Sequence, residues 1–179
     1  MILDVGCGSG RDLLWLKNRG FNMIGFERSK GLAKLARENS GCKVIEGDFE
    51  IYDFSELSVD AILMSGSLVH VSHEKLPDVF ENITKGLKSH QNHDLNQQPV
   101  SSNEEPAARA AGLIYLSLKE GTGSRTDEHG RIFYLWQDSE LRDLFGKQGF
   151  SVIDFSRSQS AIRAGDIWLG YVLEKNEVN

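Results

Sequence analysis

Residues Ile2 to Asp12, which read ILDVGCGSGRD, constrain the fold more than any other stretch of this chain. A short apolar run, Ile2-Leu3-Asp4-Val5, gives way to the alternating glycines Gly6, Gly8 and Gly10. An apolar run that stops at glycine predicts a buried parallel strand. The glycines let the backbone turn sharply and bring a bound molecule against the main chain. Asp12-Leu13-Leu14-Trp15-Leu16-Lys17 then predicts a helix running to Arg19, with Gly20 as its stop. Strand, glycine loop and helix together form the opening half of a nucleotide-binding βαβ unit.

The spacing discriminates among nucleotides. The dinucleotide fingerprint G-x-G-x-x-G needs a third glycine at position 11, where this chain has Arg11, and no Gly-Lys-Ser/Thr follows to make a phosphate-binding P-loop. The carboxylate of Asp4, two residues before Gly6, repels a pyrophosphate and attracts a cation. S-adenosylmethionine carries an ammonium and a sulfonium and no phosphate, so it fits Asp4-x-Gly6-x-Gly8-x-Gly10 better than NAD does. On these residues the sequence resembles the class I S-adenosylmethionine-dependent methyltransferases, whose first motif has an acidic residue and glycines spaced as in Asp4-Val5-Gly6-Cys7-Gly8-Ser9-Gly10. The rival reading, a tight turn that binds nothing, leaves three glycines in register unexplained.

The resemblance implies a single three-layer α/β domain over residues 1–179. Its Rossmann-like methyltransferase fold has a seven-stranded, mostly parallel sheet with an antiparallel last strand. Further strands are expected at 21–26, 43–46, 59–64, 112–118, 151–155 and 167–173. The second helix is expected to run from Ser29 or Lys30 to Asn39, with Leu32, Leu35 and Ala36 at helical spacing. The third covers 74–87 with Leu76, Val79, Phe80, Ile83 and Leu87 on one face, and the fourth covers 140–147 behind a cap at Asp138 or Ser139. Two closing strands with only a short connection match the methyltransferase sheet; in a dehydrogenase, helices alternate with strands to the end. The resembling family places one or two helices ahead of the first strand. Here that strand follows Met1 directly, so a more exposed cofactor is expected.

The site residues are carried over from the resemblance. Asp4, Gly6, Cys7, Gly8 and Gly10 are expected to hold the methionine end, with Asp4 acting on the ammonium side. Glu27, at the end of the second strand, suits the ribose because a carboxylate accepts from both hydroxyls; Arg28 stands beside it. Asp48 is expected to meet the adenine amino group and the Phe49 N–H a ring nitrogen, while Ser65, leaving the fourth strand, borders the methyl group. His70 is the candidate general base, since imidazole titrates near neutrality. Packing or capping a helical turn is the equal alternative for it. His70 and His73 lack a completing carboxylate or cysteine, and no metal is expected.

Ser89 to Gly112 is polar and holds two of the chain's three prolines, which predicts a mobile loop; the resembling family has a tight turn here, which implies an insertion. His90, His93 and Asp94 within it read as polar-loop residues and not as metal ligands. Lys119-Glu120-Gly121-Thr122-Gly123 predicts a flexible loop and 125–131 a charged turn. The aromatic run Ile132-Phe133-Tyr134-Leu135-Trp136 suits either a substrate-pocket wall or the core. Residues 117–136 resemble a subgroup of small bacterial methyltransferases that carry a Lys-Glu-Gly loop followed by a Tyr-x-Trp stretch.

The expected reaction is in-line methyl transfer from S-adenosylmethionine to a small-molecule nucleophile, leaving S-adenosylhomocysteine. The alternatives are a non-catalytic or truncated cofactor-binding module and an NAD(P)-dependent oxidoreductase. A net charge of −6 gives no general attraction for nucleic acid or an anionic membrane, and Ser65-Gly66-Ser67 replaces the Asn/Asp-Pro-Pro-Tyr/Phe-like motif that would serve a flipped base. Two cysteines, Cys7 and Cys42, favour a reduced, cytoplasmic setting. No signal peptide or membrane span is apparent. A monomer or homodimer is expected.

Overall fold

The structure, a computed structural model, describes residues 1–88, 112–161 and 165–176. The expected insertion therefore lies outside the described residues, apart from Gly112. Strands β1 (Ile2–Val5), β2 (Met23–Glu27), β3 (Lys43–Glu46), β4 (Ala61–Ser65) and β5 (Leu113–Glu120) run parallel in the order β3-β2-β1-β4-β5. Helices α1 (Arg11–Lys17), α2 (Lys30–Ser40) and α3 (Leu76–Thr84) lie between them in sequence. After helix α4 (Asp138–Lys147) come β8 (Phe150–Gln159) and β9 (Ile167–Lys175). Strand β9 inserts antiparallel between β5 and β8, as the closing strand pair implied.

A further hairpin, β6 (Ser124–Thr126) with β7 (Ile132–Trp136), stands where a loop and turn were expected. Pairing of β4 with β5 stops at Ser65 and Ser117, and β7 then takes the next places on β5, pairing Leu135 with Lys119 and Trp136 with Glu120. Lys119 and Glu120 are thus strand residues and not a flexible loop. Their charges are matched across the sheet, Lys119 by Asp166 (2.6 Å) and Glu120 by Arg157 (2.7 Å), which removes the penalty that made the sequence look loop-like. The turn begins only at Asp127, whose carboxylate accepts from the backbone N–H of His129 (2.9 Å) and Arg131 (3.0 Å).

Two cores flank the sheet. The larger is built under α3 and α4 from Phe80, Ile83, Leu116, Leu118, Phe145 and Tyr171, among others. The smaller joins β1–β3 to α1 and α2 through Cys7, Leu13, Met23, Ala33, Ala36 and Val44. Helix α2 is capped by Ser29, whose hydroxyl accepts from the Leu32 N–H, and ends at Gly41 in the left-handed region (φ 62°). Its buried face is Ala33, Ala36 and Ser40; the expected Leu32 and Leu35 are each 41% exposed. The helix comes too near the glycine loop for larger side chains. A Cβ on Gly10 would lie 2.9 Å from both the Cα and the carbonyl oxygen of Ala36.

The third helix buries Leu76, Val79, Phe80 and Ile83 as expected, and Leu87 bridges to Val59 beyond its end. The fourth starts two residues earlier than expected, at Asp138. The Glu140 carboxylate accepts from the Gln137 N–H (2.8 Å), while Asp138 is taken by the Tyr171 hydroxyl (2.8 Å) and by Arg142. Among the described residues no helix is long and apolar enough to cross a membrane.

Candidate functional site

The three glycines of the loop all adopt left-handed conformations, with φ of 73° at Gly6, 55° at Gly8 and 84° at Gly10. Only glycine takes such a run without strain. The N–H groups of Gly6 (2.8 Å) and Cys7 (3.1 Å) donate to the Phe26 carbonyl, which ties the loop to the end of β2, and the Gly10 N–H closes it onto the Cys7 carbonyl (3.0 Å). A Cβ added at Gly6 would collide with that of Ser67 beyond β4, whereas one at Gly8 would meet open space. Gly8 is therefore where the main chain is bare to an incoming molecule. The Cys7 side chain turns the other way, into the small core, where burial pushes its thiol up to about 12.

Beneath the loop lies Asp4, 3% exposed, with its Oδ2 buried and without a hydrogen-bond partner. Burial first, then the charge of Asp12, raises its pKa to about 7, against the opposing effect of Arg11. A buried acceptor with no donor costs on the order of 1–3 kcal/mol, which a cationic N–H donor would recover.

Glu27 is held from both sides. Its Oε2 accepts from the Gly8 N–H (3.0 Å) and its Oε1 from the Ser29 N–H (2.8 Å). Asp48, just past β3, accepts from the Glu50 N–H (3.0 Å) and pairs at 3.4 Å with the exposed Arg28. The carbonyl of the neighbouring Phe49 accepts from Asn82 (3.3 Å). Asp4, the glycine loop, Glu27, Arg28, Asp48 and Phe49 are thus gathered at the carboxyl ends of β1, β2 and β3. Ligands of open α/β sheets bind at this edge.

Ser65, at the end of β4, opens onto a cleft of about 320 Å³ lined by Arg11, Ser65, Gly66, Tyr115, Ser117, Ser156, Ser158, Trp168 and Gly170. His70 lies outside this lining. It is exposed, its Nδ1 meets the Ile132 carbonyl at 2.5 Å, and its ring packs on Phe133 with centroids 4.4 Å apart. His73 makes the matching contact to the Leu135 carbonyl (2.8 Å) and packs on Trp136. Both imidazoles therefore fasten β7 to the segment after β4. Phe133 and Trp136 of the aromatic run are buried, at 7% and 5% exposure. Among the described residues, no group of three or more His, Cys, Asp or Glu side chains could hold a metal ion.

The cleft residues beyond Ser65 were not singled out from the sequence. A signal for them exists. Ile114-Tyr115-Leu116-Ser117-Leu118 alternates apolar with hydroxyl-bearing residues, and Ser156 and Ser158 repeat that period, so one face of the sheet presents hydroxyls. Arg11 was noticed only as a missing glycine.

Residues 2–90 match the family described as methyltransferase domain. An uncharacterized methyltransferase of Geobacillus sp. (strain WCH70) is 26% identical over 154 residues, spanning 85% of this chain and 70% of the relative. Among solved structures, an S-adenosylmethionine-dependent methyltransferase from Methanosarcina mazei superposes with a TM-score of 0.76 at 17% identity, covering 99% of this chain and 92% of its own. The 1,6-didemethyltoxoflavin-N1-methyltransferase of Burkholderia thailandensis, with bound 1,6-didemethyltoxoflavin and S-adenosylhomocysteine, gives a TM-score of 0.72 at 18% identity, covering 98% of this chain and 71% of its own.

Proposed function

We infer that this chain, which belongs to the class I S-adenosylmethionine-dependent methyltransferases, transfers the methyl group to a small-molecule nucleophile and leaves S-adenosylhomocysteine. The observation that carries the reading is the unpartnered, buried Asp4 carboxyl beneath a glycine loop whose backbone is bare at Gly8. A cationic amino group would supply the donor that Asp4 lacks. The Burkholderia neighbour, which holds a small heterocycle beside S-adenosylhomocysteine, supports a small acceptor.

When bound, S-adenosylmethionine supplies an already activated methyl group, so the chain's residues have chiefly to orient and to shield. Asp4 and the glycine loop hold the methionine end. Glu27, preset by the Gly8 and Ser29 N–H groups, takes the ribose hydroxyls with its remaining lone pairs. Asp48 and the Phe49 N–H take the adenine, and Ser65 borders the methyl group. Holding donor and acceptor in line at contact distance is the main source of acceleration. His70 has a step only for an acceptor that arrives protonated. Its Nδ1–H then donates to the Ile132 carbonyl and its Nε2 is left to take the proton.

Calorimetric titration with S-adenosylmethionine, S-adenosylhomocysteine and NAD tests the reading. The two sulfur ligands should bind and NAD should not. Binding of NAD alone would overturn it.

A further inference from the structure

We propose that the cleft beside the glycine loop is the acceptor site, and that it takes a planar, conjugated molecule methylated on an oxygen that is already anionic at neutral pH, a carboxylate foremost. The proposal rests on the methyl-transfer reading above.

Position is the first argument. Arg11 on one wall directly follows Gly10, and Gly66 on another directly precedes Ser67, the residue that packs on Gly6. The cleft therefore opens off the loop assigned to the methyl donor. Shape is the second. Tyr115 and Trp168 contribute aromatic rings to its lining, and two glycines let those rings approach the main chain. A Cβ on Gly66 would stand 3.2 Å from the Trp168 ring, and one on Gly170 would stand 2.6 Å from the Ser156 hydroxyl and 3.3 Å from that of Tyr115. A flat conjugated body suits a slot walled by rings.

Chemistry is the third. The hydroxyls of Ser65, Ser117, Ser156, Ser158 and Tyr115 can all donate, and Arg11 carries the one formal charge in the lining. Among the described residues, no Asp, Glu, His or Lys is in the lining. The charges near the cleft mouth are paired with one another. Arg11 is shared with Asp12 (2.8 Å), and Lys119, whose Nζ stands 5.4 Å from the Trp168 ring, is paired with Asp166 (2.6 Å), which also binds Arg125 (2.7 Å). An ammonium would find no carboxylate in this lining, and a protonated phenol or amine would find no group within the lining to take its proton. An oxyanion finds several hydroxyl donors and one guanidinium.

The step balances without a base. A lone pair of the acceptor oxygen forms a C–O bond to the methyl carbon while the C–S bond breaks and its electron pair returns to sulfur. The oxyanion and sulfonium charges cancel, and no proton moves.

The test loads the chain with S-adenosylhomocysteine and titrates it with benzoate, cinnamate, catechol and benzylamine by calorimetry. A parallel reaction with S-adenosylmethionine is analysed by mass spectrometry for the methyl ester. The carboxylates should bind at least about tenfold more tightly than catechol or benzylamine, and Arg11→Gln and Ser117→Ala should each erode that preference by about tenfold. Arg11 is exposed, so its variant stays informative should the buried Ser117 variant fold poorly. Preference for catechol or benzylamine, or carboxylates that do not bind to chain that has taken up S-adenosylhomocysteine, would overturn the proposal and leave the methyl-transfer reading standing. Failure of S-adenosylhomocysteine itself to bind would overturn both.

Discussion

The two halves of the sheet hold their polar side chains differently. In the half made by β1, β2 and β3 the main chain does the holding. Glu27 is fixed by the N–H groups of Gly8 and Ser29, Asp48 accepts from that of Glu50, and the loop glycines touch Ser67 and Ala36 with no side chain between. In the half made by β5, β8 and β9 side chains do it. Hydroxyls project from the sheet face, and ion pairs fasten the strand ends, Lys119 and Arg125 to Asp166 and Glu120 to Arg157. Carboxylates fixed by the backbone suit a ligand that never varies, because their placement cannot be altered without refolding the loop. Side-chain contacts suit a ligand that differs from one relative to another.

Four measurements can break or sharpen that contrast. The largest effect is expected where the side-chain half relies on charge. Asp166→Ala leaves Lys119 buried without a partner, since their side chains are only 5% and 7% exposed, and should lower stability by about 3–5 kcal/mol in chemical denaturation. A loss under about 1 kcal/mol would mean that the pair does not fasten this half. Next is Gly10→Ala in the backbone half. It puts a Cβ 2.9 Å from the Ala36 backbone at a φ of 84°, and should cost about 2–4 kcal/mol and weaken S-adenosylhomocysteine binding as well. Unchanged affinity would separate the loop's shape from binding.

A smaller effect, about 1–3 kcal/mol on cofactor affinity, is expected from Glu27→Ala, because it removes acceptors without adding bulk. Unaltered titration heats would remove Glu27 from the site. The fourth is a slope with pH. The folded-state pKa of Asp4 is raised from 3.8 to about 7 by burial, so the folded chain binds more protons than the unfolded one between those values. Stability of the ligand-free chain should therefore fall as pH rises from about 4 to about 7 and level off above. Affinity for a cationic ligand should run the other way and rise through the same window as the carboxyl ionises. Melting curves of Asp4→Asn should lose the slope; a slope that persists would place its origin elsewhere.

Legibility in the sequence follows the same division. The first strand, the glycine loop and the place of Glu27 at the end of the second strand could be read because each is a local pattern whose meaning lies within a few residues. The antiparallel close of the sheet was readable too, since a short connection leaves no room for a helix. Lys119 and Glu120 were misread as loop because their partners, Asp166 and Arg157, lie 47 and 37 residues further on. Leu32 and Leu35 were misplaced for another reason. Periodicity marks two candidate faces on α2, and what selects between them is how closely the helix must approach the loop. His70 could not be resolved by pattern at all, since a histidine that fastens a strand and one that accepts a proton look the same in sequence.

The close approach of Gly10 to Ala36 packs the loop directly against α2. Position 36, well outside the motif, then tolerates Gly, Ala or Ser and little else, so a mutant library enriched for folded chains should be depleted of bulky residues there as sharply as at Gly10. A designer seeking to retune the cofactor end should therefore randomise position 36 together with the glycines, as one correlated set, and leave the hydroxyl face of β5 and β8 to vary freely for the acceptor.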